Sequence, residues 1–165
     1  MKILGIDPGT ATTGFGVIET TKDGYTLLDY GLVSTSKDTP HGQRLRFIYD
    51  AIAGLLKKHQ PQEVAIERLF FATNALTAIA VGQAIGVIKL ALHDGGVQVF
   101  DYAPMQVKLV IGGSGKADKT KIKSTIKTMF KIREKKGQKT HFDNSADALA
   151  IAICHAKKSS SLSHR

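Results

Sequence analysis

The first third of the chain alternates short apolar runs with turn residues. Apolar runs at residues 2–7, 14–19 and 27–34 predict three strands. The turn-forming sequence Lys22-Asp23-Gly24 predicts a hairpin between the second strand and the third. Strands joined by such short connections predict an antiparallel start to a β-sheet.

The middle of the chain changes between helical and strand spacing. Apolar residues recur every three or four positions over residues 41–59, which predicts a helix. Residues 63–67 predict a fourth strand, residues 73–93 a second helix and residues 97–102 a fifth strand. Helical crossovers after an antiparallel start predict a mixed sheet with helices on both faces.

The last third is predicted to be helical apart from two connections. A glycine-rich loop at 112–115 and a polar linker at 134–142 separate helices predicted at 104–111, 118–133 and 144–157. The order β-β-β-α-β-α-β, followed by these three helices, predicts an α/β chain with a mixed five-stranded sheet, which is the order of the ribonuclease-H-like fold. We predict one domain over residues 1–157 and a short polar tail over residues 158–165.

Positive charge is concentrated in one segment. The chain of 165 residues has a formal charge of +9, and residues 116–139 hold ten Lys or Arg against two acids. Such a run is often only the solvated face of a helix. Because it carries nearly all of the excess charge, it favours contacts with the phosphates of a nucleic acid.

Several classes of protein are excluded by composition. Cys154 is the only cysteine, so neither an internal disulfide framework nor a zinc site built from cysteines is expected. No apolar run reaches the roughly 20 residues of a membrane-spanning helix. The apolar run at the start is too short for a signal peptide, and Asp7 interrupts it. We therefore expect a cytoplasmic protein that does not use a membrane.

Carboxylates follow two of the predicted buried strands. Asp7 ends the first strand and Glu67 ends the fourth, and ligands of open sheets bind at the carboxyl ends of strands. Each acid could instead cap a turn or pair with a basic neighbour. This alternative is plausible for Asp7, which begins an Asp-Pro-Gly turn, and weaker for Glu67, because Glu is a poor turn former.

A third acidic group falls in the last predicted helix. Asp143 and Asp147 are four residues apart, and Asn144 and Asp147 are three apart, so either pair shares a helix face. The helix dipole explains an acid in the first turn, such as Asp143, but not Asp147. Acids inside a basic chain become useful with Mg²⁺, which prefers oxygen ligands and often contacts phosphate. The pattern predicts metal-dependent cleavage of a phosphodiester, with two ions acting on an in-line displacement.

Four segments resemble the RuvC-type Holliday-junction resolvases in family order. They read LGIDPGTATTGFGVI, VAIERLFFATNALTAIAVGQAIGV, YAPMQVKLVIGGSGKADK and DNSADALAIAICHA. The resemblance implies a ribonuclease-H-like fold and paired symmetric nicks in four-way DNA junctions, during recombination and repair. It also implies a homodimer, Mg²⁺ as cofactor with Mn²⁺ as a substitute, and RuvA and RuvB as branch-migration partners.

The resemblance assigns the metal-binding acids residue by residue. The family's acids fall on Asp7, Glu67 and Asp147. Its remaining acid falls on Asn144, which keeps an oxygen but lacks the negative charge, so Asp143 is an alternative ligand one position earlier. An impaired enzyme that still binds junctions is therefore the alternative function.

The resemblance also assigns residues that contact DNA. Lys108 and Lys119 match family lysines near the cleaved phosphate, and Phe70 matches an aromatic that stacks on a junction base. The neighbouring lysines expected on the DNA are Lys116, Lys121 and Lys123. For each lysine the alternative is ordinary surface charge, and for Phe70 it is a place in the core.

Overall fold

The computed structural model describes residues 1–68, 75–132 and 139–162. Its strands are β1 Lys2–Asp7, β2 Thr12–Thr21, β3 Gly24–Ser34, β4 Glu63–Glu67 and β5 Gln98–Tyr102. Its helices are α1 His41–His59, α2 Ala75–Asp94, α3 Pro104–Gly112, α4 Lys119–Phe130 and α5 Lys139–Leu162. None of the helices in these described ranges is long and apolar enough to cross a membrane.

The five strands form one mixed sheet in the order β3-β2-β1-β4-β5. β1 pairs with β2 and β2 with β3 in antiparallel fashion, whereas β1, β4 and β5 run parallel. The register places Ile6 opposite Ile66. Because β1 and β4 are parallel neighbours, Asp7 and Glu67 lie at the same edge of the sheet. The predicted mixed sheet is confirmed.

Helices cover both faces of the sheet, as predicted. β1 alternates between the faces, so Ile3 belongs to the core under α5 while Leu4 belongs to the core under α1 and α2. Both side chains are fully buried. Burying an aliphatic side chain of this size contributes about 1.5–3 kcal/mol. Because both faces of β1 are buried in this way, the strand is held in its register and Asp7 is held at its end.

Glycines on β1 and β2 let α5 lie directly on the sheet. A Cβ on Gly5 would clash with the carbonyl of Ala148, and a Cβ on Gly14 would clash with the carbonyl of Asn144. Gly14 is also the residue paired with Asp7. The backbone of α5 therefore approaches β1 and β2 closely, and α5 brings Asp147 towards the edge where β1 ends.

The ends of two helices differ from the prediction. The predicted linker at 134–142 was wrong over 139–142, because α5 already begins at Lys139. Phe142 is buried in the core and anchors the start of α5. Its neighbours in the sequence are polar, so the apolar spacing of a helix is not visible there. α5 also continues to Leu162, so the predicted polar tail is helical over 158–162. α4 ends at Phe130 rather than at residue 133, because Lys131 adopts a left-handed conformation with φ 52°.

Candidate active site

Three carboxylates line one cleft at the edge of the sheet. Asp7 comes from the end of β1, Glu67 from the end of β4 and Asp147 from α5. The cleft has a volume of about 260 Å³. The three acids are separated by 60 and 80 residues in sequence, and the parallel pairing of β1 with β4 and the close seat of α5 bring them together.

Helices α3 and α4 form the opposite wall of the cleft. Lys108 lines it from α3 and Lys119 lines it from α4. The Nζ of Lys119 donates to an Asp147 carboxylate oxygen at 3.2 Å. Both lysines that the family resemblance assigns to the reaction therefore lie beside the three acids. The remaining lining residues are Pro104, Val107, Ile122 and Ile151.

The carboxylates perturb one another strongly. Burial, followed by the charges of Glu67 and Asp147, raises the pKa of Asp7 to about 8. Burial and the charge of Asp147 also raise the pKa of Glu67. The charge of Asp147 raises the pKa of Lys119. The positive charge of Lys119 reduces the rise in the pKa of Asp7 but does not cancel it. The cleft thus concentrates negative charge that the ammonium groups of Lys119 and Lys108 offset only in part.

The chemistry of these side chains suits a hard divalent cation. Carboxylate oxygens are the ligands that Mg²⁺ prefers, and a bound cation relieves the repulsion that raises the pKa of Asp7. Among the residues that the structure describes, no group of three His, Cys, Asp or Glu side chains is close enough to hold an ion as it stands. One Asp147 oxygen accepts the Lys119 hydrogen bond instead.

Asp143 and Asn144 do not line the cleft. The Asp143 side chain is 54% exposed and forms an ion pair with Lys123 of α4. Asn144 is half-buried, and its backbone carbonyl lies against Gly14. Asp143 lies one turn before Asp147 on α5 and pairs with Lys123, four residues after Lys119 on α4, outside the cleft. The structure therefore brings together three of the five predicted metal ligands and leaves these two outside.

The lysines expected on DNA occupy two different environments. Lys116 and Lys121 are exposed, and Lys116 lies in the loop between α3 and α4. Lys123 is turned inward, with its Nζ 5.8 Å from the centroid of the Phe142 ring. Its ammonium group serves the contact between α4 and α5, and its contact with DNA stays a prediction. Phe70 lies outside the described residues.

Sequence reasoning missed the apolar side of the cleft. Val107 and Ile122 are buried wall residues on α3 and α4, and Pro104 begins α3. Their signal was present in the apolar face of each helix. What the sequence did not contain was the direction in which those faces point relative to the ends of β1 and β4.

A buried histidine lies farther along α5. His155 is 1% exposed, and its Nδ1 lies 2.7 Å from the Tyr102 hydroxyl while its Nε2 lies 2.7 Å from a Glu63 carboxylate oxygen. The Tyr102 hydroxyl and the Glu63 carboxylate together give both ring nitrogens a hydrogen-bond partner. His155 does not line the cleft.

The sheet order and the acids on β1, β4 and α5 define a nuclease of the ribonuclease-H-like class. Residues 3–155 match the family described as crossover junction endodeoxyribonuclease RuvC. The chain belongs to this RuvC family. It is 44% identical over 165 residues to the crossover junction endodeoxyribonuclease RuvC of Desulforamulus reducens, covering 100% of this chain and 99% of that relative.

Other relatives agree with this assignment. The chain is 41% identical to the RuvC of Pelotomaculum thermopropionicum over 94% of this chain and 93% of that protein. The solved structure of Thermus thermophilus RuvC is similar with a TM-score of 0.81 and 34% identity, covering 94% of this chain and 93% of that one. A second Thermus thermophilus RuvC structure, in complex with a Holliday junction substrate, also has a TM-score of 0.81, at 31% identity and with the same coverage.

Proposed function

We propose that the chain resolves four-way DNA junctions by cutting two strands through hydrolysis of phosphodiester bonds. The observation that carries this proposal is the cleft in which Asp7, Glu67 and Asp147 face Lys108 and Lys119. Membership of the RuvC family makes the chain a nuclease, and the branched substrate follows from the names and the junction complex of its relatives.

Asp7, Glu67 and Asp147 are the residues that would hold Mg²⁺, or Mn²⁺ in its place, with two ions in each site. When bound there, the metal supplies positive charge beside the phosphate and favours hydrolysis. Lys108 and Lys119 orient the phosphate from the opposite wall and offset charge that develops on its oxygens. Lys119 exchanges its hydrogen bond to Asp147 for the phosphate as the strand enters.

A homodimer would supply the second site for a paired cut. On α2, Ile79 is 72% exposed and Leu90 is 51% exposed. Gly86 lies between them, and a Cβ there would meet no described atom within 4 Å. These residues recur at helical spacing on one face, so α2 offers an apolar surface for a second copy. Sedimentation of the free chain tests this, because a monomeric mass at micromolar concentration contradicts it.

RuvA and RuvB remain the partners that the family resemblance proposes for branch migration. The proposed location is the cytoplasm.

Cleavage of a synthetic four-way junction tests the function, and two aspartates one helical turn apart provide a matched pair. Asp147→Asn removes a charge that lines the cleft, so we expect cleavage with Mg²⁺ to fall by at least about 100-fold. Asp143→Asn makes the same change on an exposed side chain outside the cleft, and we expect near-parental cleavage. An equal loss of cleavage in both variants would show that the assignment of Asp147, rather than Asp143, to the site is wrong. A parent that binds junctions but cuts none with either Mg²⁺ or Mn²⁺ would support the alternative of a binding protein impaired by Asn144.

A further inference from the structure

A second cleft lies between the end of β3 and the start of α1, outside the acidic cleft. Its volume is about 320 Å³. Hydroxyl, amide, guanidinium and phenyl side chains line it, and it contains no lining carboxylate. The lining residues are Ser34, Thr35, Ser36, Thr39, Gln43, Arg44 and Phe47.

Arg44 gives the cleft its positive charge. Its Nε donates to the Thr35 hydroxyl at 2.9 Å, and its Nη2 donates to the Thr10 carbonyl at 3.0 Å. These bonds fix the plane of the guanidinium but use only two of its five N–H groups. In the part of the chain that the structure describes, no carboxylate forms an ion pair with Arg44. The nearby Asp38 is exposed and is hydrogen-bonded with Ser36.

Phe47 gives the same cleft an apolar surface. It lies one turn after Gln43 on α1, and 53% of the residue is exposed. A large aromatic ring beside a guanidinium and several hydroxyls matches the two chemical parts of a nucleotide. The ring suits a base or a deoxyribose, and the polar groups suit a phosphate.

The second cleft is attached to the loop that leaves the strand bearing Asp7. The Thr35 hydroxyl donates to the Thr10 carbonyl at 2.6 Å, and the Thr35 N–H donates to the Ala11 carbonyl at 2.9 Å. Thr10 follows Asp7 by three residues. DNA held in this cleft is therefore held in a fixed relation to the acidic cleft.

We propose that the cleft containing Arg44 and Phe47 binds one nucleotide of a junction arm away from the cut. The phosphate contacts Arg44 and the hydroxyl of Thr39, while the Thr35 hydroxyl stays bonded to the Thr10 carbonyl and orients the guanidinium, and the ring of Phe47 packs against the sugar or base. This inference rests on the proposed function, since it takes the same four-way junction as the ligand. It adds a contact that positions the DNA.

Binding of a fluorescent four-way junction in EDTA, where metal-dependent cutting is stopped, tests the inference. Gln43→Glu places a negative charge in the cleft, and an acid in the first turn of a helix does not destabilise it. We expect about tenfold weaker binding and a change of about 1 in the slope of log affinity against log salt, as one phosphate contact is lost. Gln60→Glu adds the same charge at the exposed C-terminal end of α1, and we expect less than a twofold effect.

Changes at Phe47 test the ring separately from the charge. Phe47→Ala removes the ring from a largely exposed position, and we expect about fivefold to tenfold weaker binding with the salt slope unchanged. Phe47→Tyr keeps a ring and is expected to restore parental affinity.

The outcomes separate this inference from the proposed function. Parental affinity in both Gln43→Glu and Phe47→Ala, while the parent binds and cuts the junction, overturns the inference alone. Equal weakening by Gln43→Glu and Gln60→Glu also overturns it, because net charge then explains the effect. A parent that fails to bind four-way junctions overturns both.

Discussion

Asp7 is expected to destabilise the fold progressively as pH rises above its ordinary pKa. Its pKa rises from 3.8 to about 8 in the folded chain, whereas the unfolded chain keeps the ordinary value. The folded state therefore binds the proton more tightly. Stability that is fully present below pH 4 is lost as pH rises towards about 8, because the charged form is then forced into the cleft.

The size of this effect follows from the same two pKa values. A rise from 3.8 to about 8 corresponds to at most about 6 kcal/mol of unfolding free energy. The pKa of Glu67 is raised as well, so Glu67 can hold the proton in place of Asp7, and we expect about half of that limit. Asp7→Asn removes the charge without changing the shape of the side chain.

Urea unfolding in EDTA at pH 4.5, 7 and 9 measures the prediction. We expect Asp7→Asn to differ from the parent by less than about 1 kcal/mol near pH 4.5 and to exceed its unfolding free energy by about 3 kcal/mol at pH 9. Asp143→Asn is the control, because this aspartate is exposed, and its difference from the parent should stay small and vary little with pH. A gap between Asp7→Asn and the parent that is constant across the three pH values would refute the reasoning.

Two further predictions concern the helix that bears Asp147. Gly14→Ala should push the start of α5 off β2 and reduce junction cleavage by at least about tenfold, with a loss of about 2 kcal/mol in urea unfolding. Gly54→Ala is the control, because a Cβ there meets no described atom within 4 Å, and it should stabilise α1 by up to about 1 kcal/mol. Equal changes in stability in the two variants would contradict the close approach of the α5 backbone to β2 at Gly14. Asn144→Asp adds a negative charge three residues before Asp147. Although residue 144 does not line the cleft, this charge should attract Mg²⁺ and increase the initial rate of cleavage at limiting Mg²⁺ by about threefold or more, whereas an unchanged rate would show that residue 144 has no part in metal binding.

The strand ends could be predicted because each acid follows an apolar run. Asp7 and Glu67 stand at the point where buried side chains stop, and parallel pairing then brings the two carboxylates to one edge. The start of α5 could not be found in the same way, because residues 139–141 are polar or basic and Phe142 alone marks the buried face. A polar stretch of this kind is therefore indistinguishable from a linker in the sequence, although it belongs to the helix.

The partners of the lysines could not be predicted from spacing. Lys119 and Lys123 are four apart on α4 and pair with Asp147 and Asp143, which are four apart on α5. The contact between α4 and α5 therefore contains two successive ion pairs, and of these two only Lys119–Asp147 lies in the cleft. The sequence shows four eligible charges, but the crossing of α4 and α5 decides which pair serves the site.

The hydrogen bonds of His155 have a consequence for Asp147, eight residues earlier on the same helix. Eight residues span about 12 Å of α-helix, which behaves as a stiff rod over that length. Apolar packing alone tolerates small rotations of a rod about its long axis, whereas an imidazole held between Tyr102 and Glu63 does not. The orientation of the Asp147 carboxylate is therefore set partly by His155, two turns further along α5, although His155 does not line the cleft.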